Sequence, residues 1–77
     1  MNGLYKGLYD KLDELMDKIG HIRDDISRLE DEILNTDIPE EEQNNIVTSL
    51  VLTIDYLMGA YHSANDALEV MEHFINL

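Results

Sequence analysis

The stretch YKGLYDKLDELMDKIGHIRDDISRLEDEI, running from Tyr5 to Ile33, decides the fold. Its apolar residues Tyr5, Leu8, Leu12, Leu15, Ile19, Ile22, Ile26, Leu29 and Ile33 are separated by alternating steps of three and four. Such steps gather side chains along one side of a helix, so the spacing predicts a long helix with a single buried seam. Asp10, Asp17, Asp24 and Asp31 recur every seven residues on the side facing away from that seam.

A second seam of the same period follows, at Val47, Leu50, Ile54, Leu57, Tyr61, Ala64, Leu68, Met71 and Ile75. Between the two lies one turn signal, Asn35-Thr36-Asp37-Ile38-Pro39, in which the residue before proline is pushed away from helical geometry. The expected boundaries are a helix over about 3–34, a turn over about 35–38 and a helix over about 39–76, in a single domain spanning 1–77. Asn2 is a candidate N-cap for the first helix. Asp37 with Glu40 fits a capping box for the second, and Glu40, Glu41 and Glu42 meet the positive end of its dipole. Gly3, Gly7 and Gly20 each weaken the first helix by about 1 kcal/mol relative to alanine, which predicts fraying before Leu8. A connection this short makes the helices antiparallel. The fold class is therefore all-α, an antiparallel hairpin of two long heptad-patterned helices.

The second helix carries more apolar surface than one seam uses. Ile46, Val51, Met58, Ala67 and Phe74 lie beside the seam, with Leu52, Tyr56 and Val70 further round. A lone hairpin buries one stripe per helix, so this surplus predicts dimerisation into a four-helix bundle or a higher oligomer, with Ile46, Val51, Met58, Ala67 and Phe74 as the oligomer or partner face. Such an architecture resembles that of ROP-type RNA-binding bundles, in fold alone. The chain has 77 residues and no cysteine, so neither a disulfide nor a thiolate metal site reinforces a domain of marginal size. Absent cysteines agree with a reducing compartment. No apolar run is long enough to cross a bilayer, and the basic flank and apolar stretch of a signal peptide are missing, which makes the cytoplasm the expected location.

Charge narrows the partners. Seventeen acids against five bases give a formal charge of −12. All five bases, Lys6, Lys11, Lys18, Arg23 and Arg28, lie in the first helix, and none follows Pro39. Nucleic acids and anionic membranes are bound through cationic groups, so neither is an expected partner, and RNA binding does not carry over from the bundle resemblance. A strongly acidic chain is drawn instead to basic proteins. The candidate partner-binding site is an acidic ridge of Asp10, Asp13, Glu14, Asp17, Asp24 and Asp31. Regular carboxylates on a rigid rod imitate a row of phosphates, whereas a face serving solubility alone mixes its signs.

The remaining constellations are weaker. His62, Asp66, Glu69 and His73 line one face at helical spacing, but they point outward, whereas bundle metal sites project inward; no metal and no cofactor are expected. Gly3-Leu4-Tyr5-Lys6-Gly7-Leu8-Tyr9 joins a helix start, two aromatics and a cation, a third and minor reading in which a small nucleotide is bound. No nucleophile, base and acid fall at catalytic spacing, and acids on convex helices lack a cleft, so the chain reads as no enzyme. Two functions follow. The first is an inhibitor or decoy that fills the basic, nucleic-acid-binding groove of a target protein, a DNA mimic resembling in type the phage anti-defence and host-takeover proteins. The second is a homo-oligomeric adaptor, antitoxin-like or assembly module working through the apolar face of the second helix.

Overall fold

The computed structural model describes residues 2–76, the side chain of Asn2 excepted. Two helices, α1 (Asn2–Leu34) and α2 (Glu40–Ile75), fold against each other as an antiparallel hairpin 57 Å long and 15 by 11 Å across. The helix boundaries lie within one residue of those expected from the sequence. Asn2 stands inside α1, and its expected capping role lies outside the described residues. The helix runs without a break through Gly3, Gly7 and Gly20.

Three contacts fix the register along the whole rod. The Tyr5 ring stacks on Phe74 with centroids 5.7 Å apart, the Arg23 guanidinium Nη1 reaches Met58 Sδ at 3.7 Å, and Gln43 Nε2 donates to the Ile33 carbonyl at 2.9 Å. The end near the turn is closed by side chains. Gln43 also donates to the Thr36 carbonyl at 3.0 Å, Thr36 Oγ1 donates to the Ile33 carbonyl at 2.7 Å, and Asn35 Nδ2 donates to that of Asp31 at 2.9 Å. These side chains supplement the backbone at the end of α1, where the Asp31 carbonyl also accepts the Asn35 N–H and the Ile33 carbonyl the Thr36 N–H. The expected capping box of Asp37 and Glu40 does not form. Pro39 is the N-cap, without a side-chain hydrogen bond, so Glu40 opens the helix instead of standing in its third position. Glu40, Glu41 and Glu42 do occupy the first turn, at the positive end of the dipole.

All nine seam residues expected on α2 are buried or half-buried against α1. On α1 the expected seam is half right. Tyr5, Leu12, Ile19, Ile26 and Ile33 face α2, but Leu8, Leu15, Ile22 and Leu29 stay 45, 53, 47 and 44% exposed. Their places are taken by Tyr9, Met16, Arg23 and Glu30, one position further along each heptad. The helix is thus rolled by a fraction of a turn about its axis relative to the seam read from the spacing. Tyr9 and Met16 supply apolar area, and Arg23 and Glu30 can lay their methylene stems along the neighbouring helix. The consequence for the core is plain. Among the described residues only Met16 and Leu68, at 3 and 5% exposure, are buried.

Candidate functional site

The hairpin presents surfaces, and its sequence divides them by chemistry. Every member of the acidic ridge, Asp10, Asp13, Glu14, Asp17, Asp24 and Asp31, is exposed. Seven-residue spacing along a straight helix places Asp10, Asp17, Asp24 and Asp31 about 10.5 Å apart in a line. Lys6 pairs with Asp10 at 3.3 Å and Arg23 with Asp24 at 3.0 Å. Asp13, Glu14, Asp17 and Asp31 have no ion-pair partner among the described residues. The ridge is therefore a net anionic strip held by the rigidity of α1.

The apolar residues expected to form one partner face do not share a side. Met58 lies beside Arg23, and Val51, one heptad before it, continues that edge of α2. Ile46, Ala67 and Phe74 lie on the other edge, since they precede the seam positions by one residue instead of following them. That second edge runs alongside the exposed Leu8, Leu15, Ile22 and Leu29 of α1. Together they make one broad apolar face along the hairpin, opposite the edge where Arg23 meets Met58. Sequence reasoning assigned the α1 row to the interior and so missed half of this face. Its signal was present in Tyr9 and Met16, which widen the apolar stripe of α1 beyond what one neighbour can cover.

On the Arg23–Met58 edge, the missing side chain of Gly20 leaves a shallow groove of about 330 Å³ bordered by Met16, His21, Arg23, Met58 and Tyr61 and by two acids of the ridge, Asp17 and Asp24. His62, Asp66, Glu69 and His73 are all exposed, and no group of three or more His, Asp or Glu placed to hold a metal ion occurs among the described residues. Asn65 Nδ2 donates to Glu69 at 3.5 Å. At the N-terminal segment the aromatic rings are already engaged. Tyr5 stacks on Phe74, and Lys6 sits over the Tyr9 ring at 5.8 Å while pairing with Asp10. No described helix is long and apolar enough to cross a membrane. Comparison with known proteins gives no match, whether to family models, curated proteins or solved structures.

Proposed function

We propose that this protein is a non-enzymatic interaction module that works as an assembly of hairpins, burying the apolar face and displaying the acidic ridge. One observation carries the reading: Leu8, Leu15, Ile22 and Leu29 remain about half exposed, while Met16 and Leu68 alone among the described residues are buried. A contiguous apolar face of this length on so thin a rod is costly in water, and association is the way small helical chains cover it. A charged substitution on the face is the direct test. Ile22→Asp should turn an associated wild type into a monomer with strongly reduced helix content; a variant that associates and melts like the wild type would exclude this face.

What the assembly binds is read from the ridge. Its carboxylates are exposed and lie off the apolar face, so they stay accessible when hairpins pack, and its charge favours a basic protein surface. The decoy reading, in which the ridge occupies a nucleic-acid-binding groove, is supported by that regular line of acids. Changing Asp10, Asp17, Asp24 and Asp31 to Asn should abolish salt-sensitive capture of a basic nucleic-acid-binding protein while leaving association intact. Equal capture by both proteins would make the ridge a solvated face and leave the module's partner contact to the Arg23–Met58 edge.

A further inference from the structure

We infer that the open apolar face is covered by a second copy of this chain, with the two α1 helices antiparallel about a two-fold axis beside Ile22. The inference rests on the assembly reading above and specifies its occupant and register. Flanking the exposed row of α1, on the side away from α2, stand Lys11, Lys18, Asp25 and Glu32, all exposed and seven residues apart. The two bases come first and the two acids second. In a two-fold interface, each residue that meets another is met by it in turn. With the axis beside Ile22, Lys11 meets Glu32 of the second copy and Lys18 meets its Asp25, and symmetry makes each pair twice.

Among two-fold arrangements no other register sets all four residues of this row against opposite charges. A slip of one heptad in one direction sets Lys18 against Lys18, and in the other Asp25 against Asp25. Parallel pairing in register sets like on like at all positions. The order of charges thus selects one orientation and one register, as flanking charges do in coiled coils. In that register the apolar layers also match, with Leu12 facing Leu29 of the second copy and Ile19 facing its Ile22. Within the hairpin Lys11, Lys18 and Glu32 have no ion-pair partner among the described residues, and Asp25 pairs only with Arg28 on the surface. The contact of Arg23 with Met58 puts the axis level with Met58, beside Gly59 and Ala60, where small side chains let the two α2 helices approach. A row that is its own complement when reversed favours a second copy over an unrelated protein.

Carbodiimide coupling of the wild-type chain, followed by peptide mass spectrometry and paired with light scattering, tests this. Lys11 and Glu32 are about 31 Å apart along one straight helix, so an amide bond between them can only join two copies. The expected result is a dimer carrying Lys11–Glu32 and Lys18–Asp25 links. Charge reversal supplies a second readout. K11E/K18E alone and D25K/E32K alone should each dimerise at least about tenfold more weakly than wild type, and an equimolar mixture of the two should recover dimerisation. D25K/E32K is the sharper variant, because it reduces the net negative charge and would otherwise strengthen self-association. A dimer with neither cross-link, in which D25K/E32K associates as tightly as wild type or more so, overturns the register while the assembly reading stands. A monomeric wild type overturns both.

Discussion

A Cβ added at Gly20 would meet no atom within 4 Å, and the position lies on the groove side of α1, away from the apolar face. Gly20→Ala therefore removes only the backbone-entropy cost of glycine in a helix. It should stabilise the protein by about 1 kcal/mol, seen as a melting temperature higher by about 4–8 °C in circular dichroism. A lower melting temperature would mean that the groove has to stay open. Glu30 offers the opposite case, a functional group in the wrong surroundings. It lies on the α1 row that faces α2, and its Oε1 is buried with no hydrogen-bond partner among the described residues. Glu30→Met keeps the stem and helix propensity and removes the stranded oxygen, so urea denaturation should show a gain of about 1 kcal/mol. A loss of stability would show that the carboxylate finds a partner when hairpins assemble.

The two helices show where sequence spacing suffices and where it does not. On α2 all nine seam residues picked out by the heptad pack against α1, because that seam is large and regular, although Gln43, Met58 and Phe74 beside it also reach α1. On α1 the same rule chose correctly at Tyr5, Leu12, Ile19, Ile26 and Ile33, then placed Leu8, Leu15, Ile22 and Leu29 inside. Periodicity reports that a stripe is apolar, not which neighbour lies on it, and α1 has apolar residues on three adjacent rows. The acidic ridge needed no such choice, since its residues stay exposed after the roll, although Asp17 and Asp24 come to border the groove beside α2. The turn was legible through Pro39, but its lock was not: Gln43 reaches back ten residues to Ile33, a contact that only the folded hairpin creates. Gln43→Glu tests this lock with almost no change in size. Replacing the donating amide by a carboxylate loses both hydrogen bonds to carbonyls and should cost about 1–3 kcal/mol in a urea melt. An unchanged midpoint would reduce Gln43 to a bystander at the turn.

At the scale of the whole molecule, the proposed association is one that apolar surface drives and charge opposes. Each copy would bring a formal charge of −12 to such an assembly. A few exposed ion pairs, each worth less than about 1 kcal/mol, do not offset repulsion between such copies. Raising the salt concentration from about 0.05 to about 0.5 M shortens the screening length to a few ångströms and should therefore raise the melting temperature. That temperature should also rise with protein concentration, as folding linked to association requires. A melting temperature that falls with salt would mean that ion pairs, and not apolar contact, hold the structure together. The central claim is that the hairpin covers its apolar face with further copies of itself. Its most direct test is the mass of the wild-type protein by light scattering at micromolar concentration. The expected mass is at least twice the 8.9 kDa of one chain, with dissociation and loss of helix occurring together on dilution. A stably helical particle of 8.9 kDa would contradict it.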